Sequence, residues 1–192
     1  YSTLARLQSL ELDWPGAEKS FARMMALAPG SARALIWYAN YLAQQGRPND
    51  ALQTIKRAEE LDPLDLNVRV SEGFTHSLDR NYVRSIEIFE QVLALDPDAF
   101  TARSFLVTAA AGAGRFEQAR MQAAELVERF GRNPVTLGRV ALAEGRAGNR
   151  AAAQRVITEL LERAGREYVS PAHLAFAFAA LGDRDRTFEW LE

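Results

Sequence analysis

The chain has 192 residues, 48% hydrophobic and 25% charged, with a net charge of −2. That balance supplies a core and gives no global attraction to nucleic acid or an anionic membrane. There is no cysteine, which excludes disulfides and cysteine-held zinc.

The N-terminal stretch YSTLARLQSLELDW has no charged start followed by an apolar run, so it does not read as a signal peptide. No stretch approaches the roughly 20 apolar residues of a membrane span. Lacking an initial Met, the sequence reads as an excerpt of a longer chain. Redox compartment stays open, because a chain without cysteine suits cytosol and periplasm alike.

Along the chain a triplet returns: LAP, LDP and LDP, ending at Pro29, Pro63 and Pro97, a constant 34 residues apart (63 − 29 = 97 − 63 = 34). Other columns keep that interval. Ala17, Ala51, Ser85, Ala119 and Ala153 are small. So are Ala5, Ala39, Gly73, Ala141 and Ala175, with Val107 as the exception. A bulky column runs Phe21, Ile55, Phe89, Ile157 and Leu191, broken by Ala123. A turn column runs Gly46, Arg80, Gly114, Gly148 and Gly182, and Gly131 and Gly165 continue the proline column. Agreement of independent columns on one period marks a repeated unit. The expected units are 1–30, 31–64, 65–98, 99–132, 133–166 and an incomplete 167–192, forming a single array.

Each unit reads as two helices. In the second, SARALIWYANYLAQQG places Ala34, Leu35, Tyr38, Ala39 and Leu42 on one face, with Ser31 as cap and Gly46 as stop. PNDALQTIKRAEELDP then stripes Ala51, Leu52, Ile55, Ala58 and Leu61, and Asp62-Pro63 ends it. Later start signals are Asp98, Asn133-Pro134 and Ser170-Pro171. Strand alternation is nowhere convincing. Small residues let two antiparallel helices cross closely, and the bulky column fills the gap to the next unit. A lone helix pair cannot bury both faces; stacking does, giving an all-α right-handed superhelical solenoid with a concave and a convex surface.

In these features the sequence resembles the tetratricopeptide repeat family along its whole length, most weakly in the fourth unit. LELDWPGAEKSFARMMALAPGSARALIWYANYLAQQGRPNDAL, RAEELDPLDL and above all YVSP…LGDRD…FEWLE are similar to the C-terminal repeat region of bacterial multidomain signalling regulators. Members join such a region to a winged-helix DNA-binding output, an adenylate cyclase or a Ser/Thr kinase. The resemblance implies an accessory sensing or protein-binding region, cytoplasmic or, where the parent has a membrane span, outside the cytoplasm. It does not fix which output domain is attached.

Catalytic chemistry finds little to build on. His76 and His173 are far apart in sequence, no pair of histidines has metal spacing, and each reads as a packing, rim or surface residue. AAAGAGRFEQA lacks a third phosphate-loop glycine and a preceding strand, and its Gly114 belongs to the turn column. Ser170 sits at a helix start, where its oxygen is expected to cap. Glu59, Glu60, Asp183 and Asp185 read as solvated carboxylates, and Trp14, Trp37 and Trp190 as packing between units. Between Arg129 and Arg166 eight arginines face three acids, Glu144, Glu159 and Glu162. That excess reads first as a solvated face, then as a surface for an acidic protein, and last as a nucleic-acid contact. No enzyme activity, metal or cofactor is expected.

In such arrays the first helix of each unit lines the concavity. The expected lining is Arg33, Ile36, Asn40, Gln44, Asn67, Val70, Phe74, Ser77, Ser104, Thr108, Leu142 and Phe176, with Ala111 beside them. This mixed surface suits a helical or extended peptide, so the expected partner is a protein or peptide. The alternative is a small-ligand sensor. Some members of the resembled family grip a terminal carboxylate with Lys, Asn, Asn, Lys and Arg. The matching columns hold Ser2, Arg6, Trp37, Asn67 and Ser71, or Ile36, Asn40, Ser71, Thr101 and Phe105, so only Asn40 fits and no such clamp is expected. FEWLE at the end would leave Phe188, Trp190 or Leu191 partly bare, to be covered by residues outside the excerpt or by a second copy.

Overall fold

A computed structural model describes residues 2–11 and 13–191, without the side chains of Ser2 and Leu10. Among the described residues there are twelve helices and no strand. They come in pairs. The first three are α1 (Ser2–Leu10) with α2 (Trp14–Leu27), α3 (Ala32–Gln44) with α4 (Pro48–Leu61), and α5 (Leu66–Leu78) with α6 (Tyr82–Leu95). Then follow α7 (Phe100–Gly112) with α8 (Phe116–Phe130), α9 (Pro134–Arg146) with α10 (Arg150–Ala164), and α11 (Pro171–Ala180) with the short α12 (Arg184–Glu189).

Local chemistry sets the helix starts. Ser31 accepts a hydrogen bond from the Ala34 amide at 3.3 Å, and Asp13 and Asp183 accept from Gly16 and Arg186. Asn133 and Thr136 cap reciprocally, with Pro134 in the first turn. Two expected starts differ. Ser170 occupies the N-cap of α11 but its hydroxyl makes no capping bond. Asp98 lies one residue before the cap of α7, which is Ala99. The Asp98 carboxylate is instead held by Arg129 at 2.7 Å.

The turn column is explained by backbone geometry. Gly46, Gly114, Gly148 and Gly182 have φ of 70°, 76°, 83° and 73°. Arg80 shares the conformation with φ 60°, the one non-glycine residue in the left-handed region among those described. This is the αL close of a helix, where a side chain is costly.

The chain divides into two compact units, Tyr1–Ile88 and Phe89–Glu192, with the division inside α6. In the first, α3 packs on α4 and α5, and more lightly on α1 and α2. Ala5, Ala17, Ala39 and Ala51 are fully buried at the crossings. Ser85, the polar member of its column, is also fully buried and donates its hydroxyl to the Gly73 carbonyl at 2.8 Å. Phe21, Leu35, Leu42 and Ile55 fill the remaining core.

In the second unit α9 packs against α7, α8, α10 and α11. Ala119, Ala141 and Ala153 mark the crossings, and Leu137, Ile157, Leu160, Leu174 and Phe178 form the core. A Cβ on Gly145 would stand 2.9 Å from the Cβ of Ala180 and 3.1 Å from its backbone, so α9 and α11 need glycine there. The bulky column ends differently: Leu191 is 61% exposed and Phe188 57%, while Trp190 packs on the core. Among the described residues no helix is long and apolar enough to cross a membrane.

Candidate functional site

The first helices of successive pairs carry the expected lining. In the first unit Arg33, Gln44 and Asn67 are exposed, and Asn40, Val70, Phe74 and Ser77 are half-buried. Ile36 is buried in the core and presents little open surface. The Ser71 hydroxyl donates to the Asn40 side-chain oxygen, tying α5 to α3. Asn67 is engaged by the start of its own helix, donating backbone and side-chain N–H to Asp65 at 2.9 and 2.7 Å. The Arg6 guanidinium lies 5.4 Å from the centre of the Trp37 ring. Asn40 and Asn67 thus have hydrogen-bond partners within this unit.

In the second unit Thr108 and Leu142 are half-buried and Phe176 is 56% exposed. Ser104, expected as open lining, is buried because Arg139 lies against it. Arg139 on α9 is half-buried. It donates its Nε–H to Ser104 Oγ at 2.8 Å, and its guanidinium sits 5.9 Å from the Phe105 ring centre. Desolvation pushes the Arg139 pKa down, and among the described residues no carboxylate lies within ion-pair distance. Next to it on α11 is half-buried His173, whose Nδ1 is sealed from solvent without a partner. Burial, then the neighbouring Arg139 charge, pushes the His173 pKa below its ordinary value. α9 and α11 pack closely here: a Cβ built on the buried Gly138 would be in ordinary contact with the His173 Cβ at 3.4 Å.

Most other arginines of the 129–166 stretch are occupied. Arg132 binds Glu159, and Arg163 reaches Glu159 and Glu167 at 3.1 Å each. Arg150 donates to the Leu181 carbonyl at 3.0 Å. The surface ion pairs among them contribute little to stability, and Arg132 and Arg163 share the Glu159 carboxylate. The sequence reading of a solvated basic face fails at Arg139, which turns inward onto α7. Its signal is the repeat itself: Ser71, Phe105, Arg139 and His173 stand 34 apart, so an arginine in that column is an inward residue. His76 is half-buried on the last turn of α5. Among the described residues no group of three or more His, Asp and Glu side chains could hold a metal ion.

Two sequence models, each described as Tetratricopeptide repeat, match residues 11–69 and 79–134. The chain is built of tetratricopeptide repeats. Solved structures share the fold at low identity. PilW, a type IV pilus biogenesis factor, is 18% identical with a TM-score of 0.71, over 98% of this chain and 88% of that one. A thermophilic TPR protein from Thermus thermophilus is 16% identical with a TM-score of 0.67, over 83% and 88%. A tetratricopeptide repeat protein from Parabacteroides merdae is 14% identical with a TM-score of 0.64, over 97% and 74%. No curated protein matches the sequence. Repeats of this type mediate protein–protein interaction and are generally non-enzymatic scaffolds.

Proposed function

We propose that the chain is an interaction region that binds a peptide or protein partner on its inner helices, foremost α7, α9 and α11 of the second unit. One observation carries the reading. Phe176, a large aromatic residue with no place in the core, is 56% exposed on α11, one turn from His173 and among the expected lining positions. Singly exposed apolar residues are ordinary. Here the half-buried Leu142 and Thr108 occupy the corresponding repeat positions of α9 and α7. An apolar stripe flanked by polar groups is the surface that peptide-in-groove recognition uses.

A displayed random-peptide library tests this. Binders are expected to enrich on the intact chain and to be lost on Phe176→Asp. They should survive Leu64→Asp, which alters another exposed apolar residue, in the turn between α4 and α5. No enrichment, or equal loss in both variants, removes the proposal.

A bacterial regulatory setting belongs to the same proposal, supported by the likeness of YVSP…LGDRD…FEWLE to signalling regulators. A parent gene encoding a DNA-binding, cyclase or kinase output would support it, and one without any such domain would remove it. Self-association through the last helix pair is supported by exposed Phe188 and Leu191. Light scattering that gives a clean monomer at high concentration would remove that part.

A further inference from the structure

We propose that Arg139 is the anchor for an aspartate or glutamate side chain of a peptide lying along α7, α9 and α11; the inference rests on the peptide-binding reading above. Two inward-turned arginines in this unit make the contrast. Arg103, on α7, is 4% exposed, and the ends of its guanidinium are provided for. Its NH1 binds Glu125 and donates to Gln122 Oε1 at 2.8 Å, and its NH2 donates to the Pro97 carbonyl at 3.0 Å. Only its Nε is sealed without a partner. That is how this fold holds an arginine for structure, with a carboxylate to balance the charge.

Arg139 has no such balance among the described residues. Its one hydrogen bond there runs from Nε to the neutral Ser104 hydroxyl. The two terminal nitrogens make no hydrogen bond with the described residues, and neither is sealed from solvent. The Nε–H···Oγ bond and the Phe105 ring orient the guanidinium and leave both terminal nitrogens uncommitted among the described residues. A planar fork with such N–H groups fits a carboxylate in a bidentate pair. His173 adds a polar wall without negative charge, so nothing among the described neighbours competes with an incoming anion. The site is partly dry, which strengthens a charge-assisted bond relative to water.

The carboxylate is assigned to a side chain within the peptide because apolar surface continues past the anchor. Leu142 lies one turn beyond Arg139 on α9, and Phe176 one turn beyond His173 on α11. Residues following the acid therefore have somewhere to pack.

The test uses displayed peptide libraries with Asp or Glu fixed at the centre, against matched libraries with Asn or Gln, each with a free and an amidated C-terminus. On the intact chain the acidic libraries should enrich about tenfold to a hundredfold over their amide counterparts, the range of a charge-assisted hydrogen bond. Terminal amidation should not matter. Arg139→Gln should abolish the preference while neutral peptides still bind, and Arg139→Lys should keep part of it. The comparison on the intact chain needs no variant, so it decides even if Arg139→Gln fails to fold. Equal enrichment of acidic and neutral libraries overturns the anchor and leaves peptide binding standing. A preference that follows the free C-terminus overturns the side-chain assignment. Enrichment of no library overturns the peptide reading and the anchor together.

Discussion

In the first unit the seam around α2 and α3 is aromatic. Phe21 lies 4.9 Å from Tyr41 and 5.7 Å from Tyr38, and Trp14 stands 6.5 Å from Tyr41. Burial, with Glu18 nearby, pushes the Tyr41 pKa up to about 12, so the phenol stays neutral in the knot. In the second unit the corresponding helix, α7, buries Ala102, Ala109, Ala110 and Ala111, and with them Arg103 and Ser104. The hairpin tolerates either solution because the small columns fix where backbones cross, while the volume between crossings can be filled by rings or by polar side chains that reach a partner. The first helices of the pairs differ in the same sense. Asn40 and Ser71 satisfy each other in the first unit, whereas Arg139 in the second has no counter-charge among the described residues.

The largest expected effect attacks the aromatic seam. Phe21→Ala removes a ring that is 1% exposed and should cost about 3–5 kcal/mol. Equilibrium unfolding followed through Trp14 and Trp37 reports on this unit. A loss below about 1 kcal/mol would show that the rings decorate the seam without holding it.

Next comes the pair of inward-turned arginines. Arg103→Ala removes a buried guanidinium from the partly exposed Glu125 and strips Pro97 of its donor, so about 1.5–3 kcal/mol should be lost. Arg139→Met keeps the bulk and removes a desolvated charge with no carboxylate, so stability should stay within about 1 kcal/mol of the parent. Similar losses for the two would erase the distinction between a structural arginine and one kept for binding.

How much of this is legible in the sequence follows from what a period can encode. The crossing columns and the turns are readable because close approach and left-handed backbone each admit few residue types: all five of Ala17, Ala51, Ser85, Ala119 and Ala153 are 0% exposed. The lining is legible only in part. Ile36 and Ser104, expected as lining, fall in one repeat column whose described members are all buried or half-buried, and the cover on Ser104 comes from Arg139 on another helix. By composition Arg139 is one of eight like arginines between 129 and 166; its place in the column of Ser71, Phe105 and His173 separates it, and packing on Ser104 confirms that it turns inward. Arg80 is the instructive turn. It keeps the column's geometry without the column's glycine. Arg80→Gly should raise stability by about 0.5–1 kcal/mol, the relief of αL strain less the entropy of glycine, read as a higher Tm. A lower Tm would mean that the exposed Arg80 side chain does more than occupy the turn.

The smallest effect is a pH dependence in the second unit, small because His173 is only half-buried. Its folded pKa lies below the ordinary 6.5 through burial and then through Arg139 on α9. Well above 6.5 the ring is neutral in both folded and unfolded chains, and the stability is fully present. As pH falls below 6.5 the unfolded chain takes up the proton first, so stability declines until the folded ring titrates as well. His173→Asn should therefore flatten the Tm profile between about pH 7.5 and about pH 5 relative to the parent. Arg139→Met should flatten it partly, because burial remains when the charge is gone. If the parent instead gained stability on acidification, the ring would be finding an acid partner when charged, and the picture of an inner face without negative charge would have to be given up.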